Sequence, residues 1–450
     1  MKKIMFLYHV KEREYEIIER IRLQILSCSD DVEIKIEEFY ASIKVVVEFQ
    51  PDVIVSIPPR DCYSSNYLTM MKLLTKAVII SMTTEGNHGF DDSVVQDLIG
   101  YNTYSPRLVD YYIMWGPKTG KVLGKKLLEM NKVSDRKRIK IAGYAFYEVE
   151  GIKALYERHP EYDKILGWMR NYERKVLVLT GFSPADWKVQ DYFYLGFFGD
   201  QRSLSRVSDE QIEKALKTKE RFTRFREKYI DDVIAAAEQL TDIGFVVKLH
   251  PVEVNSRIRY YNRLSEYSNI YVISVAFPVG ALLPEVDVMV HYNSTTNLEA
   301  YIYGVPTIYR YDGTEENLND CLEESTYSYS LDERETFIRC IKGKCEFKRL
   351  PRTEKKLFEL FNWRMDRQYK PVEKIAAYVY HARKAQSISI FEEELSKAVI
   401  SKEGKDIEKW MLFKLLTGKT GWKTLYVLFA LMKIQFIKIL VQIRRTEKKK

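Results

Sequence analysis

The sequence predicts two consecutive α/β domains, each a doubly wound parallel sheet, followed by C-terminal helices and a basic tail. Short apolar runs recur as strands between segments of helical spacing along residues 1–349. The composition is globular, with 46% hydrophobic and 30% charged residues in a chain of 450, long enough for two cores. Twice in the second half a buried-type strand runs straight into polar residues, as at the ligand end of an open α/β sheet.

In chain order, residues 4–10 read as a buried first strand, and residues 13–28 as a helix with Ile17, Ile18, Ile21 and Ile25 on one side. Residues 32–36 alternate as a strand, 41–49 are helical, and 52–57 form a strand stopped by Pro58-Pro59. A helix over 68–75 and strands over 78–82, 111–115 and 139–142 complete a Rossmann-like domain at residues 1–143. Residues 144–173 are expected to be a helical linker, with His159-Pro160 at a helix end.

The second Rossmann-like domain, residues 174–349, is expected to bind nucleotide. Its strands are predicted at 175–179, 245–249, 270–275, 286–290 and 307–309, with a long amphipathic helix over 209–240. Short helices are expected over 282–285 and 297–303. The architecture thus repeats, as two halves facing each other across a cleft, without any short-period repeat. Residues 350–400 are expected to supply helices packing back on the domains, with the helical stretches at 354–360 and 372–384.

Charge is concentrated at the end. Residues 401–450 carry 13 basic against 4 acidic residues, a net of +9, so the other 400 residues net −1 within the overall +8. A generalised nucleic-acid surface is therefore not expected. Residues 425–432 are wholly apolar, an 8-residue run ended by Lys433; a spanning helix needs about 20. Aromatic, aliphatic and lysine residues mixed in this way fit a helix lying in a membrane interface, with Arg444-Arg445 and Lys448-Lys449-Lys450 favouring anionic lipid. The bland alternative is a helix docked on the protein itself. Five scattered cysteines show no disulfide framework and suit a reducing compartment, and the N-terminus lacks the pattern of a signal peptide. The expected location is cytoplasmic, peripheral on the inner face of the membrane. No cofactor and no metal site are expected.

Chemistry is expected at two strand ends. Lys248-Leu249-His250-Pro251 places a cation and an imidazole where a phosphate can be held or protonated. Asn293-Ser294-Thr295-Thr296 offers hydroxyls and N–H groups at a helix start, and Glu299 lies one turn further in, able to accept from ribose hydroxyls. Each has a plainer alternative: a turn histidine, and a helix cap. Gly116 to Val122 mimics a phosphate loop but is one residue short and lacks the Ser/Thr.

Together these motifs resemble the paired His-Pro and Ser/Thr motifs of two-domain GT-B glycosyltransferases. Such motifs occur in bacterial sialyltransferases, Kdo transferases and enzymes of the CDP-glycerol glycerophosphotransferase type. More closely, the chain resembles the surface carbohydrate biosynthesis protein family. Thr84-Glu85-Gly86, Asp110-Tyr111-Tyr112-Ile113-Met114-Trp115-Gly116, Val178-Leu179-Thr180-Gly181-Phe182 and the His-Pro block carry that likeness. The resemblance implies a GT-B fold, a CMP- or CDP-linked donor whose phosphate meets His250 and the hydroxyls, and a surface polysaccharide or lipid-linked glycan as acceptor. The chain departs from the family pattern at Leu179-Thr180-Gly181-Phe182, where an Asn-Thr-Asn-Phe-like turn is expected, and at Gly143-Tyr144-Ala145-Phe146, which lacks an Asp.

Retaining GT-B enzymes often carry two glutamates seven apart; here Glu299 has Tyr292 at the earlier position, which favours inversion. Inversion needs a general base. Glu85 is the first choice, with Gly86, His88 and Asp91 on the acceptor side and Asp92 a further rival; a helix-capping carboxylate is the plainer reading of Glu85. The expected activity is metal-independent glycosyl transfer. A nucleotide-sugar 2-epimerase on the same fold and a non-catalytic scaffold of a glycan assembly complex are the alternatives.

Overall fold

The computed structural model describes residues 1–383, except 10, 40–42, 60–63, 65–66, 69–70, 73–74, 83–107, 132–135, 146–147, 149–159, 195–206, 255–257, 276, 293, 295, 312–326, 331–332, 345–350 and 365–367. Two compact units emerge, Met1–Glu148 with Lys355–Lys450, and Val149–Glu354.

The first unit is built on strands β1 (Lys2–Tyr8), β2 (Val32–Glu38), β3 (Val53–Ser56), β4 (Val78–Met82), β5 (Tyr111–Met114) and β6 (Ile139–Ile141). All pair in parallel, in the order β2-β1-β3-β4-β5-β6. β3 and β4 are buried throughout, which explains their unbroken apolar sequences: helices cover both faces of a parallel sheet. Helix α1 (Lys11–Cys28) lays Ile17, Ile18, Ile21 and Ile25 on one face. Helix α2 (Ile43–Phe49) and helix α3 (Pro117–Asn131) serve the opposite core through Val46, Phe49, Leu123 and Leu127. The phosphate-loop mimic at Gly116 to Val122 is therefore the start of a helix.

Later segments complete this unit. Helix α11 (Pro371–His381) packs Val372, Ile375 and Val379 into the same core as α1, and its Val372 N–H donates to Glu148 at 2.9 Å. Helix α10 (Pro351–Phe361) passes so close to the turn after β5 that a Cβ on Gly116 would lie 2.3 Å from the Leu360 carbonyl group. Gly143, at φ +108°, turns the chain after β6, and the buried Tyr369 hydroxyl accepts the Tyr144 N–H at 2.6 Å.

The second unit opens with helix α4 (Pro160–Met169). Pro160 begins this helix rather than marking a helix end: proline lacks the N–H that an N-terminal position would leave unpaired anyway. Strands β7 (Arg174–Leu179), β8 (Ile243–Lys248), β9 (Ile270–Ile273), β10 (Val288–His291), β11 (Thr307–Tyr311) and β12 (Tyr327–Ser330) form a second parallel sheet in the order β12-β11-β10-β7-β8-β9. Helix α5 (Asp209–Gln239) starts on a capping box in which Ser208 Oγ accepts Gln211 N–H at 3.3 Å and Gln211 Oε1 accepts Ser208 N–H at 3.0 Å. Its Phe222, Phe225, Tyr229 and Val233 pack on Val176, Val178, Phe245 and Val247 of the sheet.

A cysteine expectation changes here. Cys340 is disulfide-bonded, with a partner outside the described residues. The scattered spacing had predicted no disulfide framework, and Cys340 departs from that. No described helix is long and apolar enough to cross a membrane; residues 384–450, including the basic tail, lie outside the described ones.

Candidate functional site

In the second sheet the chain steps from β7 outward to β8 and β9, then returns to the other side of β7 for β10, β11 and β12. The winding therefore reverses between β7 and β10. Open α/β sheets bind ligands beyond the carboxyl ends of the strands at such a reversal. Thr180-Gly181-Phe182-Ser183 follows β7 and His291-Tyr292 closes β10. Lys248-Leu249-His250-Pro251 follows or ends β8, on the flank of the reversal. Among the described residues, a Cβ on Gly181 would meet only the Tyr292 carbonyl oxygen, at 4.0 Å, so the β7 turn lies open beside the β10 turn.

Strand register fixes what shares a row. Leu179 pairs with Lys248, and Val178 with both Val247 and Val290, which puts His291 level with Leu179 and Lys248. Successive strand residues alternate in face. Val178, Val247 and Val290 accordingly join the core under α5, while Leu179 and Val246 belong to the opposite one.

Lys248 is buried, at 8% exposure. Burial lowers its ammonium pKa to about 8, against the opposing pull of Glu299 and Glu253. His250 caps the one-turn helix α6 (Pro251–Val254), its carbonyl accepting the Glu253 N–H at 2.7 Å. Its backbone N–H donates to Thr180 Oγ1 at 3.0 Å and to Glu253 Oε2 at 3.2 Å. Crowding by protein atoms, then the Lys248 ammonium, push its imidazolium pKa down to about 4. The residue nevertheless keeps solvent contact, which moderates the crowding effect; from an ordinary value of 6.5 any downward shift leaves the ring neutral at pH 7. In the ligand-free protein it can therefore donate a ring N–H but holds no proton to give.

The Ser/Thr motif has a local role. Ser294 Oγ accepts the Thr296 N–H at 3.3 Å and bonds Thr296 Oγ1 at 3.1 Å, tying the start of helix α8 (Thr296–Tyr303). Glu299 is half-buried in the first turn of that helix and is felt electrostatically by Lys248. Asn293 and Thr295 lie outside the described residues, as do Glu85, Gly86, His88, Asp91 and Asp92.

Three further groups were not among the predicted site residues. Glu253 is fully buried, and its carboxylate accepts from Thr180 Oγ1, the Phe182 N–H, the His250 N–H and the Tyr261 hydroxyl of helix α7 (Ile258–Tyr261). Thr180 itself joins that carboxylate to the β8 turn. His291 is buried at 1% exposure, stacked on Tyr309 with centroids 5.5 Å apart. Its Nδ1 accepts the Ser294 N–H at 3.3 Å, which assigns the ring proton to Nε2, and that atom finds no partner among the described residues. Burial pushes its pKa down to about 3. Only the acid after His-Pro was a local signal; the other partners of Glu253 are up to 73 residues away. Among the described residues, no three His, Cys, Asp or Glu side chains are grouped to hold a metal ion.

No protein-family model and no curated protein matches the chain. Solved structures do match in fold. The UDP-GlcNAc 2-epimerase from Methanocaldococcus jannaschii has a TM-score of 0.52 at 14% identity, covering 85% of this chain and 100% of that one. The S. aureus MnaA-UDP co-structure has a TM-score of 0.50 at 12% identity, covering 85% of this chain and 96% of that one. A second M. jannaschii structure, in complex with UDP-GlcNAc and UDP, has a TM-score of 0.50 at 13% identity over 85% and 100% of the two chains. The likeness establishes a two-domain α/β fold of the GT-B type.

Proposed function

We propose that this chain is a glycosyltransferase. It moves a sugar from a nucleotide-activated donor to a surface polysaccharide or lipid-linked glycan, with inversion and without a metal. The observation that supports this best is the pairing of a buried ammonium, Lys248, with a neutral imidazole, His250, at one strand end beside the reversal of the sheet. A leaving nucleoside phosphate gains negative charge as the glycosidic bond breaks, and fixed donors in a desolvated site stabilise it without reorganising. Lys248 supplies the charge and His250 the hydrogen bond. Ser294, Thr295, Thr296 and Asn293 border the phosphate, Glu299 takes the ribose hydroxyls and Pro251 stiffens the turn. Glu85 is the base for the acceptor hydroxyl, with His88 and Asp91 as rivals and Gly86 shaping that loop.

A CMP- or CDP-linked donor follows from the motif resemblance. The structural neighbours bring a second reading, since one is a 2-epimerase solved with UDP-GlcNAc and UDP: the same site epimerising a UDP-sugar. Isothermal titration with CMP, CDP, UDP and GDP over pH 6 to 9 tests the site and chooses the donor class. One nucleotide should bind with an affinity that is flat at lower pH and falls as pH rises past about 8, where Lys248 loses its proton. The Lys248→Met variant should bind weakly and lack that limb; absence of binding by all four nucleotides refutes the site. Conversion of a UDP-sugar to its 2-epimer without any acceptor, followed by proton NMR, would favour the second reading.

Residues 401–450 anchor the protein to an anionic membrane surface. Removing residues 405–450 should abolish co-sedimentation with vesicles containing phosphatidylserine. Undiminished sedimentation of the shortened protein contradicts the anchor.

A further inference from the structure

We propose that Glu253 is a positioning residue that holds the β7 and β8 turns in one fixed relation, so that His250 and Lys248 address the same anion. The inference rests on the nucleotide-site reading above. Glu253 is fully buried, and an isolated buried carboxylate is costly. Here each oxygen is satisfied twice: Oε1 by the Phe182 N–H at 2.9 Å and the Tyr261 hydroxyl at 2.8 Å, Oε2 by the Thr180 hydroxyl and the His250 N–H at 3.2 Å. Those donors come from the β7 turn, the β8 turn and helix α7, and the one carboxylate gathers all three. Thr180 Oγ1 donates to the carboxylate while accepting the His250 N–H at 3.0 Å, closing a ring of three bonds.

The ring grips the backbone of His250 and leaves its side chain out. It therefore sets where the imidazole starts without consuming its N–H. The same carboxylate is one of the two negative groups that keep Lys248 charged. No other common side chain does both. Glutamine offers one acceptor oxygen and turns an NH2 toward groups that are themselves donors. Aspartate is a methylene short. A buried network of this kind is also a stability element, so the test must read something that stability alone does not move.

Glu253→Gln is the first variant, with Thr180→Val as the second because it removes one donor and leaves the carboxylate three. Asn269→Ala is the stability control: its Nδ2 ties Ala237, Leu240 and Ile243 carbonyls together at the other end of the strands, at 2.9, 3.1 and 3.2 Å. Each protein is titrated with the nucleotide that the wild type binds, over pH 6 to 9, and its Tm is recorded. For Glu253→Gln we expect affinity to fall tenfold or more and the high-pH limb to move to lower pH, because Lys248 has lost one of its two negative neighbours. Thr180→Val should weaken binding several-fold with the limb in place, and Asn269→Ala should lower Tm alone. A Glu253→Gln protein with reduced Tm but wild-type affinity and limb overturns the inference while leaving the site reading standing. If that variant does not fold, unchanged affinity in Thr180→Val overturns it. Failure of the wild type to bind any nucleotide overturns both.

Discussion

Replacing His250 with alanine is expected to lower kcat/KM for sugar transfer by roughly two to three orders of magnitude, the usual cost of removing one donor from a developing anion. The fold should survive. What secures the β8 turn is the His250 backbone, through its N–H to Thr180 and Glu253 and its carbonyl to Glu253 and Val254, and alanine keeps all of these. Tm should therefore stay within a degree or two of wild type, since exposed substitutions usually fall within about 0.5 kcal/mol. Glutamine at the same position separates two roles. The ring is neutral at pH 7 because its pKa lies below the ordinary histidine value, so hydrogen-bond donation is the role open to the free enzyme. If donation is all that His250 does, His250→Gln should recover a good part of the lost rate. No recovery would mean that substrate binding raises the imidazole pKa and that proton transfer is required. Near-normal kcat/KM in His250→Ala would remove the residue from the mechanism.

The second large effect lies in the core. Asp232 of α5 pairs with Arg310 of β11, both about 1% exposed, and with Arg334 of helix α9 (Arg334–Arg339). The Arg310 guanidinium also sits 4.5 Å above the Phe337 ring. Burial already works against its charge, pulling its pKa down, and Asp232 is what opposes that. Asp232→Ala removes the carboxylate that does most to hold the buried guanidinium charged, which should destabilise the second unit by about 3–5 kcal/mol in chemical denaturation. Replacing the pair together, as Asp232→Leu with Arg310→Met, should be close to neutral, because the two desolvation penalties disappear with the attraction. Equal losses for the single and the double variant would show that the cluster is not acting as a charge pair.

Much of the architecture was legible because parallel strands covered on both faces have to be apolar along their whole length. β3, β4, β7 and β8 read directly for this reason. β12, whose sequence alternates Tyr and Ser, is an edge strand with no apolar run to announce it, and α9 follows it closely. Pro160 was read at the wrong end of its helix because proline suits both a first turn and a stop. At the site, Lys248 and His250 could be placed at a strand's carboxyl end from their neighbours alone. Glu253 could not be picked out, since nothing in Pro-Val-Glu-Val distinguishes a surface acid from one receiving bonds out of three segments.

Local pattern settled most of the strands and helices and which polar groups follow them, because periodicity and turn chemistry act over a few residues. Folding alone decided the order of the strands, and with it that the β7 and β10 turns are neighbours. Pairing between strands more than a hundred residues apart, such as Val178 with Val290, leaves no trace in either strand's own sequence. The same holds for the return of α11 to the first unit and for the burial of Glu253: both depend on partners that only the closed chain brings within bonding distance.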